Sequence, residues 1–182
     1  MLQTRHTLWL IVTVAGAAVA SGQDSKPAAP SPPAATHAAP SPAATNRSAR
    51  PGPFSAQADA RKDLATALAK ARKDGKRVLL DFGANWCPDC LVLVKRLEDP
   101  AVRPFLEAHF HLVKVNIGSH DLNLDLVREY GNPIEKGIPA VVVLDPQGQV
   151  IAATRGGELA NARTSTPEEI LAFLKQWAPK KR

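Results

Sequence analysis

The chain has 182 residues, 45% of them hydrophobic, which is enough apolar material for one domain of ordinary size, ~100–150 residues, with chain to spare. Lys and Arg number 23 against 17 Asp and Glu, a net charge of +6. The cations are scattered over Arg61, Lys62, Lys70, Arg72, Lys73, Lys76, Arg77 and a Lys180-Lys181-Arg182 tail, without interleaved aromatics. That argues against nucleic-acid binding and leaves a mild attraction for acidic partners or a membrane surface.

The N-terminus carries Arg5 and His6, then an uncharged stretch of 13 residues from Leu8 to the small-residue triplet Ala18-Val19-Ala20. This pattern predicts a secretory signal peptide over residues 1–20, cleaved near Ala20, and a periplasmic or secreted mature protein. The stretch is short for a bilayer span, which needs ~20 apolar residues. Removing it takes away Arg5 and no acid, leaving +5.

Half of the 16 prolines fall between Pro27 and Pro53, in a run dominated by Pro, Ala, Ser and Thr without apolar periodicity. Such a run cannot bury enough surface to offset its ordering entropy, so residues 21–53 are expected to be a disordered linker. In a polyproline-like form the 29 residues from Ser25 would span ~90 Å. It is either a tether or a dispensable tail.

From Phe54 onward the chain reads as one folded domain over 54–182. The run Gln57 to Lys73 places Leu64, Ala67, Leu68 and Ala71 at helical spacing, with Gly75 as the stop. Arg77 to Phe82 is a buried strand. A helix follows from Cys90 to Leu97, and Pro100 is expected in the first turn of the next helix, which runs to about His109. His111 to Ile117 is a strand, and Leu122 to Tyr130 a helix closed by Gly131. Pro139 to Leu144 and Gln149 to Thr154 flank the Asp145-Pro146-Gln147-Gly148 turn as a β-hairpin. Thr166-Pro167-Glu168-Glu169 opens the last helix as a capping box, with Ile170, Leu171, Phe173, Leu174 and Trp177 inward. This alternation predicts an α/β domain with a mixed sheet and helices on both faces.

The two cysteines of the chain, Cys87 and Cys90, stand between a strand and a helix. Unpaired N–H groups and the helix dipole at that place stabilise a thiolate. A disulfide across three residues closes a tiny loop and adds little stability, so a redox pair is favoured over a structural staple. Structural zinc needs four ligands, and the folded part adds only His109, His111 and His120, with His109 and His111 read as surface or edge residues. Copper(I) held by two thiolates stays open.

Asp81-Phe82-Gly83-Ala84-Asn85-Trp86-Cys87-Pro88-Asp89-Cys90, Lys114-Val115-Asn116, Gly137-Ile138-Pro139 and the Gln147-Gly148 turn, in this order, resemble the thioredoxin superfamily. Within it, Asp99-Pro100-Ala101-Val102 and the Asp145 to Gly148 hairpin are similar to the C-terminal domain of the disulfide reductase DsbD. The likeness spans Phe54 to Trp177 and implies a thioredoxin fold, a central mixed β-sheet flanked by helices.

It also implies a protein-disulfide oxidoreductase that needs no cofactor beyond a redox-active Cys87–Cys90 disulfide and no metal. Cys87 would be the exposed nucleophile and Cys90 the buried resolving thiol. Asp81 matches a buried carboxylate that takes the proton from Cys90, with Lys114 beside it; alternatively Asp81 only hydrogen-bonds within the core. Pro139 matches a cis-proline that turns the backbone of Ile138 toward substrate, and Trp86 a substrate platform or a loop-packing ring. Pro88 and Asp89 occupy the positions that tune the redox couple. Asp89 brings negative charge near Cys87, opposes the thiolate and favours a reducing couple. The segment 156–165 is longer than a minimal member needs; it is expected near the active-site end of the sheet, where it shapes partner choice or is idle. The partners implied are protein thiols and disulfides and a membrane-bound electron donor, with the protein a monomer. The competing readings are a periplasmic copper-binding protein and a thioredoxin-fold interaction module.

Overall fold

The computed structural model of the chain describes residues 52–180. The expected signal peptide, and all of the Pro/Ala-rich segment except Gly52 and Pro53, lie outside the described residues.

The first helix, α1 (Ala60–Asp74), starts where Asp59 accepts the Lys62 N–H at 3.0 Å and ends at Gly75, whose φ of 75° and bond to the Ala71 carbonyl form a left-handed cap. This cap sets the start three residues after Gln57. Strand β1 (Arg77–Gly83) follows. Helices α2 (Pro88–Leu97) and α3 (Arg103–His109) then carry the chain over one face to β2 (Phe110–Asn116), which pairs parallel with β1. A parallel pair requires such a crossover. Helix α4 (Leu124–Glu129) leads to β3 (Ala140–Leu144) and β4 (Val150–Ala153), an antiparallel hairpin, and α5 (Pro167–Trp177) closes the domain. The sheet order is β2-β1-β3-β4, with β1 and β3 antiparallel.

The expected opening of α3 at Pro100 is corrected. Asp99 folds the chain into a turn: its side chain accepts the Ala101 N–H, and its carbonyl accepts those of Val102 and Arg103. The helix begins only at Arg103, and the proline in its first turn is Pro104. An Asp with a free carbonyl competes with the helix for the same N–H groups. Helix α4 is likewise shorter than the expected Leu122 to Tyr130, because the N–H groups of His120, Asp121 and Leu122 all turn back to the Ile117 carbonyl.

Central position in the sheet explains why β1 is buried from Val78 to Gly83. Val78, Leu80 and Phe82 join one core with Leu64 and Ala67 of α1 and Leu126 of α4. Leu79 joins the other, with Leu93 and Leu97 of α2, Leu106 of α3, and Ile170 and Leu174 of α5. Alternation along a strand puts Asp81 on the same face as Leu79, toward α2. Each fully buried Leu, Val or Phe contributes ~1.5–3 kcal/mol, so the two cores pin β1 and whatever is attached to its C-terminal end.

Candidate active site

The C-terminal end of β1 delivers the chain directly to the cysteines. Cys87 is the N-cap of α2, Pro88 its first residue, and Cys90 lies one turn on, with Cα atoms 5.3 Å apart and the two sulfurs joined as a disulfide. Pro88 suits this place because its φ is helical and its missing N–H is not needed there. Cys87 Sγ accepts the Cys90 N–H at 3.2 Å, so the sulfur takes the role of a capping oxygen at a helix start. The two cysteines differ in access, 4% for Cys87 and 0% for Cys90. Cys87 is thus less open than the exposed nucleophile implied by the family resemblance. The backbone before Pro139 covers it: the Ile138 carbonyl stands 3.6 Å from Cys87 Sγ, and the Ile138–Pro139 peptide is cis.

Trp86 is half-buried. Its Nε1 donates to the Gly118 carbonyl at 2.6 Å, and its ring lies 5.7 Å from that of His120. Packing of the loop is therefore one of its roles. His109 and His111 serve local structure, the first against the Phe105 carbonyl and the second against Asp74, each at 2.9 Å. Among the described residues no group of three His, Cys, Asp or Glu side chains is placed to hold a metal ion.

Asp81 is completely buried, and neither of its carboxylate oxygens has a hydrogen-bond partner. The expectation that it hydrogen-bonds within the core is not what the structure has. Burial pushes its pKa up to about 7, against the opposing attraction of Lys114. Lys114 is directly opposite Asp81 in the β1–β2 register, and its Nζ reaches Glu98 at 3.5 Å.

Asp89 is turned away from solvent. Its Oδ1 accepts the backbone N–H and the Nε–H of Arg163, both at 3.0 Å. Arg163 belongs to a 3-10 turn, Ala162–Thr164, within segment 156–165, so this segment does reach the active-site helix. The carboxylate that the sequence sets near Cys87 therefore comes with its own cation.

Two further features have no counterpart in the sequence reading. Arg163 is the first; a segment longer than the fold needs was its only signal. The second is a strap at Phe54, which is fully buried, donates its N–H to Asn85 Oδ1 at 3.0 Å, and accepts from Asn85 Nδ2 at 2.7 Å and Asn116 Nδ2 at 3.1 Å. Asn85 adjoins Trp86 and ends the β1 loop, so the strap braces the segment that carries Cys87. Gly83 permits it, since a Cβ there would sit 2.5 Å from the Phe54 ring.

This geometry has close parallels among known proteins. The family described as thioredoxin-like matches residues 59–146. The crystal structure of a disulphide isomerase from Xylella fastidiosa is 44% identical, covers 68% of this chain and 95% of its own, and superposes with a TM-score of 0.67. The oxidised C-terminal domain of DsbD from Neisseria meningitidis shares the fold at 22% identity, covering 66% of this chain and 97% of its own with a TM-score of 0.50. A thioredoxin from Thermus thermophilus is 28% identical over 62% of this chain and 81% of its own, TM-score 0.47. No curated protein matches the chain. A mixed four-stranded sheet, a Cys-x-x-Cys pair at the start of its second helix, the family match and the 44%-identical disulphide isomerase together establish that the chain belongs to the thioredoxin-like family.

Proposed function

We propose that the protein is an exported thiol-disulfide oxidoreductase that reduces protein disulfides through Cys87 and Cys90. The observation that carries this reading is the placement of Cys87 Sγ at the N-cap of α2, accepting the Cys90 N–H and facing the Ile138 carbonyl. The Cys87 thiolate attacks one sulfur of a substrate disulfide; that S–S bond breaks, and its other sulfur leaves as a thiolate. Cys90, losing its proton, then attacks Cys87 Sγ, and the mixed disulfide breaks to release the second substrate thiol. The Cys87–Cys90 bond forms, and two electrons and two protons have passed to the substrate. Asp81, on the α2 face of β1 with a pKa near 7 and no hydrogen-bond partner, is suited to accept the Cys90 proton. Lys114 tempers its charge. Ile138 and Pro139 offer backbone to an extended substrate strand, and Trp86 an apolar edge beside it.

The signal-peptide pattern supports export, and a membrane-bound donor would then return the electrons. No helix among the described residues is long and apolar enough to cross a membrane. The negative charge that Asp89 brings to the start of α2, only partly offset by the half-exposed Arg163, supports a reducing couple, well below a strong oxidant at ~−120 mV and nearer thioredoxin at ~−270 mV. The purified protein should catalyse insulin reduction by dithiothreitol, and Cys87→Ser should abolish it. In cells, Cys90→Ser should accumulate mixed disulfides at Cys87 whose partners name substrate and donor. A potential above about −150 mV, or an active Cys87→Ser protein, would overturn the reading.

A further inference from the structure

Asp89 lies two residues after Cys87, in the first turn of α2, with a side chain only 11% exposed. Both of the hydrogen bonds to its Oδ1 come from Arg163, whose own side chain is 60% exposed. The segment that carries Arg163 is not loosely draped. Leu159 and Ala162 are buried in the same core as Leu93 and Leu97 of α2, and Arg96 Nε holds the Ser165 carbonyl at 3.2 Å. The backbone N–H of Arg163 is therefore delivered to Asp89 by packing, and the guanidinium adds a charge to a bond that is already made.

We infer that Arg163 is a positioning residue of the redox site, acting through Asp89 to set how readily Cys87 ionises. This rests on the reading of Cys87 and Cys90 as a reactive dithiol. The thiolate is the attacking species, and a carboxylate held near it without a counter-charge raises the cost of forming it. With Arg163 in place the carboxylate's charge is partly offset, so the N–H groups of the helix act on Cys87 against less opposition. Without the guanidinium, Asp89 keeps its backbone donor and its place but meets Cys87 with uncompensated charge. Asp81 and Lys114 stand on β1 and β2, away from the Asp89–Arg163 contact, and are not altered by loss of the guanidinium. Segment 156–165 thus carries part of the active site's electrostatics.

The test is the pH profile of iodoacetamide alkylation of the reduced full-length protein, read at its faster thiol. Arg163→Met should slow alkylation ~3-fold below the profile's midpoint and move that midpoint to higher pH, as expected for loss of a half-exposed ion-pair partner. Asp89→Asn, which keeps an oxygen acceptor, should speed it by a similar factor, and Arg163→Lys should recover most of the wild-type rate. Salt at ~1 M should shrink the Arg163→Met effect. The equilibrium in which two glutathione thiols form glutathione disulfide while the Cys87–Cys90 bond becomes two thiols should shift toward the protein disulfide in Arg163→Met, measured above the midpoint. Arg103→Met removes the same charge from α3, where its partner is Glu107, and should leave the profile in place. An Arg163→Met profile that superimposes on wild type, or slower alkylation of Asp89→Asn, overturns the inference. If Arg163→Met unfolds, Asp89→Asn and Arg163→Lys decide alone. Alkylation needs no protein substrate, so failure of insulin reduction would sink the proposed reductase and leave this result standing.

Discussion

Asp81 is a completely buried carboxyl group without a protein donor, and its ionisation is set against the fold itself. With its pKa near 7 when folded and the ordinary 3.8 when unfolded, the native state holds the extra proton between those values. Stability therefore falls as pH climbs from about 4 to about 7 and levels off above, where the charged form is buried at full cost; integrated, the loss is up to ~4 kcal/mol. Asp81→Asn removes this slope. Its denaturation midpoint should exceed that of wild type at about pH 8, by ~2 kcal/mol once the cost of burying an unpartnered amide is counted. The same variant should release substrate from the mixed disulfide more slowly at neutral pH. Equal urea curves for the two proteins across the pH range would show that Asp81 is not the buried acid described. That Asp81 is a buried carboxylate was legible from its spacing before Cys87 and the family resemblance. That it lacks any partner was not, because solvation is a property of everything packed around it.

At the scale of elements, the strap at Phe54 and the end of β1 behave as one unit. Phe54→Ala empties a completely buried site and should cost ~3–5 kcal/mol. Gly83→Ala forces a methyl against the ring and should cost ~1–3 kcal/mol. Because both act on the same contact, Gly83→Ala should cost much less in the Phe54→Ala background, and additive losses in the double-mutant cycle would contradict the packing. The helix starts show how local signals fared. Thr166 with Glu169 forms the capping box its sequence predicts, and Gly75 the left-handed stop, since these motifs are completed within a few residues. Pro100 misled because Asp99 spends its carbonyl and side chain on a turn, and the helix waits for Arg103.

For the whole molecule, the redox state should be written into the stability. A bridge over three residues constrains an unfolded chain little, so a difference in stability between oxidised and reduced protein reports which form the native structure favours. A reducing couple is one whose fold favours the disulfide, the opposite of an oxidant, whose fold favours the reduced form. The oxidised protein should therefore unfold at higher urea concentration than the reduced protein, and the reverse order would contradict the reductive poise.

What the sequence determined by itself was whatever is local or periodic. The alternation of helices and strands, the hairpin at Asp145 to Gly148, the capping box, and two cysteines one helical turn apart at a strand-to-helix junction all follow from spacing along the chain. Tertiary structure alone decided what depends on residues far apart. Phe54 meets Asn85 across 31 positions, and Arg163 meets Asp89 across 74. Lys114 faces Asp81 only because β2 pairs with β1 in one register. In each case a residue's charge or solvation is fixed by a partner that packing delivers, and no pattern near the residue encodes that partner.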